Sequence, residues 1–411
     1  MSKKRSQRYI CPFCYGSIDM SQVHYACNDP LCTRTFLGTC SEAEKRRYGS
    51  VYRPEEEIDV ERSEFLGLDP YGPAAITTKS HIIRGSVDGK CEICSNRNTD
   101  KLCPRCHQII TKAAERWGTS IYVLIGSESA GKSHYLASLI ETLKSGYAQE
   151  FDTKVTPTTA NTADKFDREY RNTVFDGGRC LPPTPTYEDV LTRDPLLFDM
   201  DKGDGDGART VAFVDTSGRD LDSSDKLASL NISTYISGAA GIMFFIDALR
   251  LPSVRSKLGL PAEDCPDAAA ALNYVAEIIR DKNRLKPKNP VEIPLAVIVT
   301  KSDLLMRPAA AEEDEDALFG QESSLHIPRE QGSADMDNIA LVGTEVEEYL
   351  RRNAGQDLLD AVDQFENHQY FAVSALGGAP ADGVLKNGVA PFRVEDPMIW
   401  FLNTTEKRRW L

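Results

Sequence analysis

The chain has 411 residues, 41% of them hydrophobic and 27% charged, a globular composition with room for two or three domains. Its formal charge of −14, from 48 Lys and Arg against 62 Asp and Glu, excludes a protein coated for non-specific nucleic-acid binding. No apolar stretch approaches the ~20 residues of a membrane helix. Gly241–Leu249 is too short and carries Asp247. The basic N-terminus (MSKKRSQRY) has no apolar run behind it, so the expectation is a cytoplasmic protein with no signal peptide and no membrane partner.

Nine of the 11 cysteines fall within the first 106 residues. In a reducing compartment such clustering points to metal rather than disulfides. Residues 1–48 read as a zinc-ribbon module with Cys11, Cys14, Cys27 and Cys32 as ligands, where His24 or Cys40 could replace one member. Residues 88–117 read as a second zinc-binding pair of knuckles, Cys91, Cys94, Cys103 and Cys106, with His107 a bystander. Four thiolates make a closed, structural Zn²⁺ site, and the metal contributes the folding energy of so small a core. Residues 49–87 connect the two modules. Residues 1–50 carry eight basic against four acidic residues, and Tyr9, Phe13, Tyr15 and Phe36 lie among them. That combination permits nucleic-acid contact. Packing of the aromatics and protein docking fit the acidic whole better. Cys180 and Cys265 have no partner at metal spacing and read as ordinary small apolar residues.

From 118 to 411 the chain alternates apolar runs with helical patterns, which implies an α/β domain with a mostly parallel sheet covered on both faces. Ile121–Ile125 reads as a strand and Ser133–Lys144 as a helix. Between them stands Gly126-Ser127-Glu128-Ser129-Ala130-Gly131-Lys132-Ser133, followed by His134. Its G-x-x-x-x-G-K-S spacing turns backbone N–H groups around phosphate oxygens at the start of a helix. Lys132 would reach the β- and γ-phosphates, and Ser133 would ligate Mg²⁺. Glu128 is unusual there, because it brings a carboxylate near polyphosphate.

Leu196–Asp199 leads through DKGDGDG (201–207), a hairpin turn, into a strand at Thr210–Asp215. Asp215 ends that strand where it can hold Mg²⁺, and the N–H of Gly218 can meet the γ-phosphate. Gly241–Asp247 is a strand and Pro266–Arg284 an amphipathic helix. After the strand Leu295–Thr300 come Thr300-Lys301-Ser302-Asp303. A carboxylate at Asp303 accepts from guanine N1–H and the 2-amino group together. Adenine offers neither donor and would leave the acid unpaired. The Lys301 stem can lie along the base. The run 309–337 is expected to be an acidic, mobile insert. Asn338–Phe365 is largely helical, Tyr370–Ser374 is a strand and Asp396–Arg408 a final helix. Ser374, Ala375 and Leu376 could offer backbone N–H groups to guanine O6.

Taken in order, GSESAGKS, DTSG, TKSD and SAL resemble the first, third, fourth and fifth motifs of the TRAFAC-class, Ras-like P-loop GTPases, over residues ~119–409. CLPPTPT and PFRVEDPMIWFL further resemble the double-GTPase families of bacterial conflict systems. The resemblance implies a P-loop GTPase fold and a GTP- and GDP-binding, Mg²⁺-dependent switch within a multi-protein defence or signalling module. It also implies a switch threonine that closes on Mg²⁺: Thr184 or Thr186, with Thr156, Thr158 and Thr159 as alternatives. Where relatives carry a water-orienting Gln, this chain has Arg219. Arg219 could stabilise developing phosphate charge or pair with Asp220 or Asp222. Slow intrinsic hydrolysis is therefore expected, dependent on a partner or on self-association through segments 150–186 and 216–235 and the zinc modules. The alternative is a zinc-ribbon nucleic-acid factor that uses a GTPase-like domain as scaffold or energy source.

Overall fold

The computed structural model describes residues 8–29, 41, 43, 59–66, 82–83, 86–87, 91, 99–184, 195–202, 208–217, 236, 238–257, 259–261, 267–306 and 322–409. The chain divides into two compact units, Met1–Thr119 and Ser120–Leu411.

In the first unit, Arg8–Ile10 pairs antiparallel with Ser17–Asp19. A three-stranded sheet joins His24–Cys27 to Thr99–Leu102 and Ile109–Ile110, with His24 opposite Leu102 and Cys27 opposite Thr99. The segments read as a zinc-ribbon module (1–48) and a second knuckle pair (88–117) thus share one sheet. The core is small: Tyr9, Ile18, Val23, Tyr25 and Ile110 surround Cys11, Cys103 and Cys106. Tyr9 and Tyr15 are buried and Phe13 packs on this cluster, so these aromatics serve the mini-core. Phe36 lies outside the described residues.

Strands and helices of the larger unit are numbered from its N-terminal end. The strands are β1 (Thr119–Gly126), β2 (Lys154–Pro157), β3 (Leu196–Asp201), β4 (Arg209–Asp215), β5 (Gly241–Asp247), β6 (Leu295–Thr300) and β7 (His368–Ala372). They form one sheet in the order β7-β6-β5-β1-β4-β3-β2. β1, β5, β6 and β7 run parallel to one another, and every residue of β1, β5 and β6 is buried, as a sheet covered on both faces requires. β3 pairs antiparallel with β4 and with β2, so the sheet is mixed at one edge. β2 was not legible in the sequence, because four residues ending in Pro157 make a weak strand signal.

The helices follow the sequence pattern with shifted ends. α1 (Lys132–Thr142) begins at Gly131, whose φ of 85° a side chain would strain, and continues in a wide π-helical turn to Tyr147. α2 (Ala160–Lys165) is capped by Thr159 and extends similarly to Asp176. α3 is Pro252–Lys257, and α4 (Ala268–Asn283) is capped by Asp267 and stopped at left-handed Arg284. α5 (Met336–Asn353), α6 (Gln356–Val362) and α7 (Asp396–Arg409) complete the unit. Residues 309–321 of the expected mobile insert lie outside the described residues, but 322–337 is packed. Leu325 is 1% exposed, and Arg329 donates to Asp396 Oδ1 at 2.9 Å and to Glu395 at 3.0 Å. An apolar anchor and a buried ion pair hold that half in place, where composition alone suggested a solvated loop. No helix among the described residues is long and apolar enough to cross a membrane.

Candidate functional site

The parallel order aligns the C-terminal ends of β1, β5 and β6, and loops after them line a cavity of about 470 Å³. This is where open α/β sheets bind ligands. Lys132, 5% exposed, folds back over the loop and donates to Gly126 O at 2.7 Å and Ser127 O at 2.9 Å. Its ammonium thus lies inside the ring of backbone expected to hold phosphate. The hydroxyl of Thr300 donates to Ala130 O at 2.9 Å and tethers the loop to the end of β6.

Three oxygens meet at the foot of α1. Ser133 Oγ donates to Asp215 Oδ2 at 2.6 Å and lies 2.7 Å from Thr184 Oγ1, which is itself 3.5 Å from the same carboxylate oxygen. Asp215 Oδ1 is buried without a hydrogen-bond partner among the described residues. Burial lifts the Asp215 carboxyl above its ordinary range, and Lys132 opposes that shift. Two hydroxyls and an under-satisfied carboxylate form a hard-oxygen set that fits Mg²⁺. Among the other threonines, Thr156 sits in β2 opposite Asp199, Thr158 donates to Asp199 and Thr159 caps α2. Thr186, Gly218, Arg219, Asp220 and Asp222 lie outside the described residues.

His134 does not point its Nε2 at phosphate. That nitrogen accepts from Leu181 N at 2.9 Å, and burial, then Lys301, hold its pKa down at about 4, which leaves the ring neutral for this bond. Glu128 lends its backbone O to Arg250 at 2.8 Å, so the loop meets an arginine of its own chain.

Lys301 and Asp303, with Leu304, line the same cavity from the turn after β6. Lys301 is left-handed (φ 58°), and its Nζ lies 2.6 Å from Asp247 Oδ2 at the end of β5. Asp247 also accepts from Leu249 N at 2.9 Å. Sequence reasoning missed Asp247, although it ends an apolar strand as Asp215 does. Ser374, Ala375 and Leu376 line the cavity too. The Ser374 amide donates to Phe392 O at 3.0 Å, so Ser374 is spent and its two successors are the candidate amides. Cys180 lines the cavity beside Leu181 and Pro182, whereas Cys265 lies outside the described residues.

In the first unit the cysteines group differently from the expectation. The thiols of Cys11, Cys14, Cys103 and Cys106 all lie within 4.8 Å of one another, with Cys11–Cys106 at 3.7 Å and Cys14–Cys103 at 3.6 Å. The first half of one expected set has joined the second half of the other. Each pair sits on the same kind of knuckle. Tyr15 N donates to Cys11 O and His107 N to Cys103 O, and both Tyr15 and His107 have positive φ. The four thiols interact strongly: bonds from Cys106, Cys11 and Cys14 pull the Cys103 thiol down, whereas burial pushes Cys11 up and the bond to Cys103 pushes Cys106 up. Cys27 and Cys91 are not part of this cluster, and Cys32, Cys40 and Cys94 lie outside the described residues. His107 is a buried support: Nδ1 lies 2.6 Å from Asp59 Oδ1 and Nε2 lies 2.8 Å from His24 Nδ1.

The mixed, mostly parallel sheet with a G-x-x-x-x-G-K-S loop between β1 and α1 is an α/β fold carrying a P-loop. No family model matches the chain. It is 28% identical over 315 residues, 73% of this chain and 78% of the relative, to SaeC of Mycolicibacterium smegmatis, which is provisionally assigned as an ESX-1 scaffolding and assembly protein. Among solved structures, the Arl6 (BBS3) small GTPase of Trypanosoma brucei, with the nucleotide analogue GppNp bound, covers 70% of this chain and 98% of its own length at 11% identity and a TM-score of 0.29.

Proposed function

We propose that the larger unit binds GTP and GDP with Mg²⁺ and works as a slowly hydrolysing switch, and that the first unit is a zinc-stabilised docking module. The observation that carries the reading is the meeting of Ser133, Thr184 and Asp215 beside Lys132, on a cavity that Asp303 also lines. Lys132 and the loop amides would hold the phosphates, and the three oxygens would hold Mg²⁺, which neutralises phosphate charge. Ala375 and Leu376 amides with Asp303 would select guanine. Cys11, Cys14, Cys103 and Cys106 would hold Zn²⁺.

The presence of Arg219 after Gly218, where a Gln would orient the attacking water, supports slow intrinsic hydrolysis. The assembly role assigned to SaeC, together with the net charge of −14, supports a protein partner over nucleic acid. Calorimetry of the purified protein with GTP, GDP and ATP, with and without Mg²⁺, tests the reading. Guanine preference that requires Mg²⁺ is the expected result. Equal affinity for ATP, or no nucleotide binding, overturns it.

A further inference from the structure

Residues 377–391 (GGAPADGVLKNGVAP) follow the base-side motif and read in sequence as a glycine-rich loop. They fold as a pinned hairpin. Ser374 and Phe392 exchange backbone bonds of 3.0 and 2.8 Å, and Ala390 N donates to Leu376 O at 3.0 Å. At the tip, Asp382 and Gly383 have φ of 51° and 74°. This is the two-residue turn with positive φ at both centres that Asp-Gly favours. Ala381 and Val384 close it with reciprocal bonds of 3.0 and 2.9 Å, and Leu385 behind it is buried in the core.

The outer edge of this tip is paired. Leu385 N donates to Gly178 O at 2.8 Å, Cys180 N donates to Gly383 O at 2.9 Å, and Arg179 lies opposite Val384. The next residue, Leu181, is held by His134, and three residues later Thr184 reaches Ser133. On its other side the same hairpin lends Gly378, Ala379 and Pro380 to the cavity wall beside Ala375. One short element therefore borders the cavity beside Ala375 and also sets the strand that delivers a hydroxyl to Ser133.

We propose that the Ala381–Leu385 hairpin couples the two ends of the nucleotide site: by pairing with Gly178–Cys180 it makes the seating of Thr184 on Mg²⁺ depend on a purine base resting against Gly378–Pro380. The inference rests on the guanine-nucleotide reading above. A base that favours the paired hairpin favours the Thr184 position by the same free energy, and Mg²⁺ in turn favours base binding.

The test compares Mg²⁺ dependence for two probes, GTP and inorganic tripolyphosphate, on the full chain. In the native protein, Mg²⁺ is expected to raise GTP affinity about tenfold more than tripolyphosphate affinity. Gly383→Val strains only the turn, since nothing lies within 4 Å of a Cβ at that position. Leu385→Pro deletes the donor to Gly178 O. Both variants are expected to lose the base-dependent gain while still binding tripolyphosphate. Adding Thr184→Ala to Gly383→Val is expected to cost little more. Equal Mg²⁺ gains for the two probes in a guanine-selective native protein, or fully additive losses in the double variant, overturn the coupling alone. A native protein without guanine preference overturns the reading beneath it.

Discussion

Thr184 Oγ1 and Ser133 Oγ lie 2.7 Å apart although 51 residues separate them in the chain, and both approach the same oxygen of Asp215. A carboxylate oxygen facing two hydroxyls gathers three hard oxygens of the kind that suits Mg²⁺. The second carboxylate oxygen, buried and unpartnered among the described residues, points the same way.

Replacing Thr184 by Ala is expected to weaken Mg²⁺-dependent GTP binding about tenfold, the effect of one lost ligand of roughly 1.4 kcal/mol. Binding without Mg²⁺ should change little. Fluorescent-nucleotide titrations at fixed free Mg²⁺ measure both. A larger loss from Thr186→Ala than from Thr184→Ala would move the metal ligand to position 186.

Asp303→Asn is expected to lower GTP affinity at least tenfold while ATP affinity stays near its native value, because the amide cannot accept from both guanine donors at once. Competition of GTP and ATP for one site reads the ratio directly. An unchanged ratio removes Asp303 from base selection.

Zinc content distinguishes the two groupings of cysteines. Cys14→Ser and Cys103→Ser are expected to remove the same ion, so the double variant should lose no more zinc than either single one. Two separate knuckle sets predict that the losses add. Metal analysis by atomic emission settles it. Acidification or a chelator should release this ion and unfold the first unit, since thiolates must stay deprotonated to bind.

Asp396 is 3% exposed between Arg393 and Arg329, at 2.8 and 2.9 Å. Burial lifts its pKa to about 6, against the opposing pull of Arg393. The folded state therefore binds this proton more tightly than the unfolded chain, which titrates near the ordinary carboxylate value. The stabilisation is full below pH ~4 and is lost as pH rises through 6. Relative to Asp396→Asn, the native protein should gain on the order of 2 kcal/mol between pH 6.5 and 4.5. Urea midpoints of the two proteins across that range check it, and a flat difference would contradict the direction.

Much of the site was legible because its signals are local. The phosphate loop and Thr300–Asp303 each sit within one strand-to-turn unit, where spacing along the chain sets spacing in three dimensions. The same holds for the apolar runs of β1, β5 and β6. The short β2 strand, the packed half of the acidic insert and Asp247's ion pair with Lys301 were not legible, because each depends on a partner far along the chain. Propensity is weak where pairing and burial decide.

By itself, the order of residues determined which groups make up the candidate sites: a G-x-x-x-x-G-K-S loop, an acid in the turn after β6, and thiols at knuckle spacing. Only the tertiary structure decided which threonine meets Ser133 and which cysteine pairs share a cluster. Cys11 meets Cys106 across 95 residues. No local pattern records such a contact, because antiparallel pairing of His24–Cys27 with Thr99–Leu102 is what closes the distance.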